Sequence, residues 1–179
     1  MMNRSEWLLT GCTGLVGRFV LRNLLMQGQD VCVLVRRRGP LSAADRVEPI
    51  IQFWERELGQ YLVRPTVLDA DLLKPDLSVQ PSDLASLQGR YQNALHCAAS
   101  VRFELDQNGK EPLASNIDGT SHFIDFCDKV GIRHFHHVST AYVCGDTQAT
   151  VFEEPISSSA KFRNPYEYSK AAAEQLVLN

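Results

Sequence analysis

No charge of one sign dominates this chain, no apolar run is long enough to span a bilayer, and its cysteines are too scattered to build a metal site. The formal net charge is −3 and the pI is near 5.9. Without a basic surplus there is no electrostatic footprint for nucleic acid or for an anionic membrane surface. No apolar stretch approaches the roughly 18 residues of a transmembrane helix, so no membrane span is expected. The five cysteines, at positions 12, 32, 97, 127 and 144, form an odd set without zinc-type spacing. Each lies in or beside an apolar segment, so the expectation is reduced, buried thiols in a cytoplasmic protein. The N-terminus, Met1-Met2-Asn3-Arg4-Ser5-Glu6, runs directly into the first apolar segment and does not have the layout of a secretory leader. Internal repeats and low-complexity linkers are also missing. What is present is an ordinary globular composition, 44% hydrophobic and 22% charged over 179 residues, which suffices for one domain with a sizeable core.

Strand-like and helix-like segments alternate. Leu8–Thr10 and Val31–Val35 read as buried strands, and residues 43–58 read as a helix with Val47, Ile50, Ile51, Trp54 and Leu58 on its buried stripe. Thr66–Leu68 is a third strand. A short helix over Ser82–Leu87 precedes a fourth strand, Ala94–Cys97. A helix from Pro112 to Val130 follows, with Leu113, Ile117, Ile124 and Cys127 on one face and Gly131 closing it. Phe135–Val138 is a fifth strand, leading through a loop rich in Ser, Thr, Glu and Pro to a helix that starts near Pro165. This order predicts an α/β fold, a Rossmann-like doubly wound parallel sheet with helices on both faces.

Four segments carry chemistry. Thr10-Gly11-Cys12-Thr13-Gly14-Leu15-Val16-Gly17 lies between the first strand and an amphipathic stretch, Phe19–Met26. Gly11 permits a tight turn, Gly14 lets the backbone approach a pyrophosphate, and Gly17 allows close helix–strand packing. A tight β–α connection that binds nothing could carry the same glycines, but the strand–turn–helix context favours a dinucleotide. After the second strand, where NAD-selective folds place Asp or Glu against the ribose, stands Arg36-Arg37-Arg38. Guanidinium groups suit a phosphate dianion, so NADP(H) is expected, with Arg36 the first contact and Arg38 the second. Tyr166 and Lys170 lie four apart on the last helix and share a face. A free phenol holds its proton too tightly for catalysis at neutral pH, and a cation one turn away eases its transfer. Finally, Ser139-Thr140-Ala141-Tyr142-Val143 follows the fifth strand, at the sheet end where α/β folds place their ligands. A hydroxyl there can hydrogen-bond a carbonyl oxygen as charge develops, or satisfy local backbone.

Together these segments resemble the extended short-chain dehydrogenase/reductase superfamily over essentially the whole chain. Thr10 to Gly17 is similar to its TGxxGxxG turn, and Tyr166 with Lys170 to its YxxxK pair. Thr140 matches the catalytic hydroxyl by its offset from Val143-Cys144-Gly145, and Asn116 in Asn116-Ile117-Asp118-Gly119-Thr120 matches the asparagine that supports the active site. The resemblance implies that Thr10, Thr13, Leu15 and Val16 join the glycines at the cofactor. It also implies that Asp71 and Leu72 meet the adenine and that Cys97, Ala98 and Ala99 line the cofactor, with Tyr166 and Lys170 at its nicotinamide end. Within the superfamily, Leu34-Val35-Arg36, Ala70-Asp71-Leu72, His96–Val101 and Val138–Val143 are closest to thioester reductases and fatty acyl-CoA reductases. This implies reduction of an acyl thioester, on coenzyme A or a carrier protein, to an aldehyde or alcohol by Thr140, Tyr166 and Lys170, with no metal.

Members of that family continue past the YxxxK helix into another strand and a substrate lobe. This chain stops at Asn179, so residues 1–179 read as a C-terminally truncated cofactor domain, either a fragment or a natural short form, with poor catalysis expected of it alone. The sheet edge so uncovered invites self-association into a homo-oligomer. Two rival readings stay open. One is a sugar-nucleotide epimerase, dehydratase or hydroxysteroid-type member of the superfamily. The other is a non-catalytic NADP-binding module.

Overall fold

The computed structural model describes residues 5–157 and 160–179. The reading of Met1–Arg4, and Ser158 and Ser159 of the loop before the last helix, lie outside the described residues. Ten regular elements follow one another as β1 (Glu6–Thr10), α1 (Leu15–Met26), β2 (Asp30–Val35), α2 (Ala43–Leu58), β3 (Thr66–Asp69), α3 (Pro81–Leu87), β4 (Asn93–His96), α4 (Gly119–Val130), β5 (His134–His137) and α5 (Pro165–Leu178). The five strands are all parallel, in the order β3-β2-β1-β4-β5. The chain therefore builds outward from β1 through β2 to β3, then returns to add β4 and β5 on the other side. That reversal opens a crevice above the carboxyl ends of β1 and β4, the natural ligand site of such sheets.

Strands buried on both faces carry unbroken apolar runs, because alternate side chains serve two cores. Leu9, Val31 and Val33 pack beneath α1 and α2 with Leu21, Val47 and Ile51. Leu8, Cys32 and Ala94 point the other way, into a core closed by Leu87, Phe123 and Phe126 from α3 and α4. The doubly wound α/β architecture is thus present. Ser42 caps α2 in a reciprocal box with Asp45, and Gly59 ends it in the left-handed region. Pro49 lies inside α2 without ending it, since the buried stripe continues through Ile51 and Trp54.

Three details depart from expectation. β4 ends at His96 rather than Cys97, because the Cys97 amide turns away to the Thr10 hydroxyl. The helix drawn from Pro112 opens with a π turn over Ala114–Asp118 before α4 proper begins. The wider turn rotates the residues before it away from the face set by those after it. Leu113, Ile117 and Ile124 are accordingly only half-buried, and the stripe that reaches the core is Phe123, Phe126, Cys127 and Val130. Cys12, Cys32 and Cys127 are buried free thiols, whereas Cys97 and Cys144 are half-buried. Burial pushes the Cys12 and Cys32 thiols up to about 12, so neither offers a thiolate near neutrality.

Candidate functional site: a dinucleotide cleft beside a Thr–Tyr–Lys cluster

The glycine turn after β1 is built for close approach. Gly11 has φ of +75°, and a Cβ there would stand 2.4 Å from the Ala98 amide nitrogen at the end of β4. A Cβ on Gly17 would stand 2.2 Å from the Gly11 carbonyl oxygen, so the first turn of α1 can rest on the loop only as glycine. Between them the Gly14 amide donates to the Gly11 carbonyl at 2.9 Å and starts the helix. Ser42 and Asn164 side chains cap α2 and α5, but no side chain caps α1 and no carboxylate stands in its first turn. The amides of that turn, with the positive end of the helix, remain for an anion from outside.

Above this turn lies a cleft of about 520 Å³. Gly11, Thr13 and Gly14 form its base, Arg36 and Arg46 one rim, Asp71 and Leu72 another, and Cys97 to Ser100 the floor. The three arginines after β2 separate. Arg36 lines the cleft. Arg37 pairs with Asp69 at 3.0 Å on the surface, and Asp69 also accepts from the Ala43 amide at the start of α2. Arg38 exchanges backbone hydrogen bonds with Leu41 in a turn and is not among the lining residues. Its expected place is taken by Arg46, which the sequence reading missed. Arg46 donates to the Arg36 carbonyl and, at 3.2 Å, to the Thr13 hydroxyl. The signal was available in principle: four residues past a helix-capping serine, a side chain faces back over the end of the preceding strand. Of the other expected cofactor residues, Thr10 and Gly17 are buried beneath the turn, while Leu15 and Val16 are exposed on the first turn of α1. A phosphate-bearing dinucleotide suits this donor set, which offers backbone amides at its base and the guanidinium groups of Arg36, Arg46 and Arg102 along its walls.

The second cluster forms past β5. Thr140 caps the 3-10 turn Ala141–Cys144, its hydroxyl oxygen accepting from the Tyr142 amide at 3.3 Å, which leaves its own proton free to donate. The neighbouring Ser139 hydroxyl is buried without a partner among the described residues. α5 packs against this turn and against the π turn. Its start is fixed by Asn164, which accepts from the Glu167 amide at 3.0 Å, and by buried Glu167, which accepts from the Arg163 amide at 2.9 Å. Tyr166 then stands with Phe103 edge-on to its ring, centroids 5.4 Å apart at 89°. Phe103 also touches Tyr142 edge-on, at 6.3 Å.

Lys170 is only 3% exposed. Its ammonium donates to the Val138 carbonyl at 2.8 Å and to His137 Nε2 at 3.1 Å, leaving one proton uncommitted. Burial lowers its pKa below that of an ordinary lysine, against the opposing charge of Glu174. Burial, reinforced by Lys170, holds His137 at about 4, so it meets the ammonium as a neutral acceptor. Asn116, buried in the π turn, accepts from the Ser100 amide at 2.7 Å and donates to the Ser100 carbonyl and the Ser169 hydroxyl, each at 2.9 Å. It ties the cleft floor to the helix carrying Tyr166 and Lys170. His137 and Phe103 are members that the sequence reading did not single out, and His96, read there only within the segments Ala94–Cys97 and His96–Val101, is buried. Among the described residues no helix is long and apolar enough to cross a membrane.

Known proteins resemble this chain in sequence and in fold. Rat fatty acyl-CoA reductase 1 is 30% identical over 144 residues, covering 75% of this chain and 28% of that protein. A linear gramicidin synthase of Brevibacillus parabrevis is 28% identical over 178 residues, 95% of this chain and 3% of that one. The chain thus spans little more than a quarter of the length of the reductases it matches. Among solved structures, the terminal R domain of the myxalamid PKS-NRPS pathway superposes with a TM-score of 0.80 at 24% identity, covering 99% of this chain and 46% of that one. A UDP-glucuronic acid 4-epimerase from Bacillus cereus, determined with NAD, gives 0.68 at 24% identity over 97% and 51%. Those two likenesses speak for the fold, a Rossmann-like parallel sheet with helices on both faces. The model of the family described as male sterility protein matches residues 9–179, and the chain belongs to that family of NAD-binding domains, with sequence similarity to fatty acyl-CoA reductase 1.

Proposed function

We propose that residues 1–179 form the cofactor domain of an NADPH-dependent reductase of acyl thioesters, carried on coenzyme A or a carrier protein. The observation that carries this reading is the packing of α5, which bears Tyr166 and the buried Lys170, against the turn that Thr140 caps beyond β5, together with a cleft rimmed by Arg36 and Arg46. Gly11, Thr13 and Gly14 would hold the pyrophosphate. Asp71 and Leu72 would face the adenine, Arg36 and Arg46 the 2′-phosphate, and Cys97, Ala98 and Ala99 the nicotinamide side. When bound, the reduced dinucleotide supplies the hydride. The Thr140 hydroxyl donates to the thioester carbonyl oxygen and polarises it. The Tyr166 phenol delivers the proton that this oxygen needs as the carbon is reduced, and Lys170 uses its uncommitted proton to orient the ribose and phenol. The hemithioacetal left on the substrate then breaks its carbon–sulfur bond, giving aldehyde and free thiol. Thioester, NADPH and one proton thereby become aldehyde, thiol and NADP+. Phe103, edge-on to Tyr166, and Tyr142, edge-on to Phe103, suit the acyl carbons flanking the carbonyl.

Fluorescence titration of the chain with NADPH and NADH tests the cofactor. At least about tenfold tighter NADPH binding is expected from the added phosphate contacts, and a preference for NADH overturns the roles of Arg36 and Arg46. Following nicotinamide oxidation by the full-length gene product with acyl-coenzyme A tests the reaction. Turnover of a nucleotide sugar in place of the thioester would move the assignment to the epimerase branch.

A further inference from the structure

Thr10, His96 and Thr120 form a buried chain of side chains between the glycine turn and the helix region that carries Asn116. All three are 1% exposed. Thr10 Oγ1 lies 2.7 Å from His96 Nδ1, and His96 Nε2 lies 3.1 Å from Thr120 Oγ1. The Thr120 hydroxyl lies 2.6 Å from the Asn116 carbonyl oxygen. The Cys97 and Ala98 amides, on the cleft floor, point at Thr10 Oγ1 at 3.2 and 3.3 Å.

Donor counting fixes every proton in this chain. A carbonyl only accepts, so the Thr120 proton is committed to Asn116 and Thr120 Oγ1 must accept from the histidine. His96 Nε2 therefore carries hydrogen. The opposite tautomer would aim two lone pairs at each other and leave the Thr10 proton with no acceptor. With Nδ1 bare, the Thr10 hydroxyl donates to it and its lone pairs face the two amides. All the bonds then run one way: Cys97 and Ala98 to Thr10, Thr10 to His96, His96 to Thr120, Thr120 to Asn116. From Asn116 the side chain continues to Ser169, whose hydroxyl donates to the Tyr166 carbonyl at 2.8 Å.

We propose that His96 is a positioning residue, held as the neutral Nε2–H tautomer, that locks the dinucleotide floor at Cys97 and Ala98 to the helix presenting Tyr166 and Lys170. A doubly protonated ring would lose the Thr10 bond and turn the Thr10 proton loose against the amides. The surroundings oppose that state: the ring is fully enclosed, Phe123 lies 4.9 Å away, and His137 and Lys170 lie on the side of β5. Burial, with those two neighbours, keeps the imidazole at about 3. This role rests on the dinucleotide site proposed above, but its arms can be tested whether or not the thioester is the substrate.

Long-range nitrogen–proton NMR of histidine-labelled chain should show His96 as an Nε2–H ring whose signals do not move between about pH 8 and 5. An Nδ1–H ring, or one that titrates near the ordinary histidine value, overturns the proposal. Substitutions separate the two arms. H96F keeps an aromatic ring but breaks both arms, and should weaken NADPH binding by about tenfold. H96N retains an acceptor at the Nδ1 position for Thr10 and should recover most of that affinity. H96Q instead reaches toward Thr120 and should not. T10V, which removes only the hydroxyl, should reproduce the affinity loss of H96F. Circular dichroism and melting establish that each variant is folded, and T10V serves if H96F is not. Equal affinity for all folded variants overturns the proposal. Failure of every protein, wild type included, to bind dinucleotide overturns the functional reading instead.

Discussion

A guanidinium presents a planar fork of donors, and Arg36 and Arg46 bring two of them to one rim of the cleft, the second steadied by Thr13 and by the Arg36 carbonyl. Replacing Arg46 with alanine should raise the dissociation constant for NADPH by about ten- to a hundredfold, from the loss of one charge-assisted contact, and change that for NADH far less. Comparative titration with both nucleotides checks it, and an equal loss for both would make Arg46 a support for Thr13 alone. Tyr166→Phe removes one oxygen from a ring already packed edge-on by Phe103. Turnover by the full-length protein should fall by about a hundredfold or more, while NADPH affinity of the chain stays within about twofold. These single residues differ in how far the sequence revealed them. Tyr166 and Lys170 were legible because helical spacing puts them on one face. Arg46 and His137 were not, because their partners lie across the fold and come near only once β2, α2, β5 and α5 are placed.

Segments sharpen the distinction. The turn between β1 and α1 was readable because its chemistry is backbone chemistry, and backbone demands leave glycine as a visible residue. Gly17→Ala puts a methyl 2.2 Å from the Gly11 oxygen, a backbone atom that cannot yield without shifting α1 off β1. Thermal unfolding should show a loss of about 1–3 kcal/mol, with dinucleotide binding abolished or nearly so. Ser42→Ala is the contrasting case: it removes the side-chain cap of α2 and no atom of the phosphate turn, and should cost about 1 kcal/mol while lowering nucleotide affinity far less than Gly17→Ala does. If both variants lost stability and affinity in proportion, the turn would matter only through global stability. The π turn at Ala114–Asp118 could not be read in advance, since nothing in its side chains forces an extra residue into the helix. It displaced the expected stripe of Leu113, Ile117 and Ile124, and it also lowered Asn116 toward Ser100 and Ser169. Of the stripe drawn at a period of 3.6 only Cys127 reaches the core, while Ile124, beyond the turn, stays half-buried.

The sheet as a whole joins two cores back to back, and the enclosed His96 lies on the face of the core closed by α3 and α4, against Phe123 and Phe135. The alternation of apolar strands and amphipathic helices foretold the cores. It could not foretell that a polar chain would run beside one of them, because a histidine in an apolar run looks the same whether its nitrogens are satisfied or not. That chain gives the molecule a pH dependence of definite sign. An unfolded chain lets His96 take a proton at its ordinary value of 6.5, whereas the folded chain refuses it until about 3. Protonation in that interval therefore favours the unfolded state. The stability contributed by neutral His96 is complete above 6.5 and declines as pH falls toward 3, at about 1.4 kcal/mol per pH unit. By about pH 4.5 the loss from this residue should reach about 2–3 kcal/mol, a sizeable share of the roughly 5–15 kcal/mol typical of a domain. His137, held at about 4, steepens the decline in the same direction. Urea unfolding at about pH 7 and about pH 5 measures it, with H96Q as the comparison, since a glutamine cannot take up the proton and carboxylate contributions cancel between the two chains. The wild-type chain should lose more stability than H96Q over that interval. Equal losses would mean that the imidazole takes its proton as readily folded as unfolded, and that water reaches the ring.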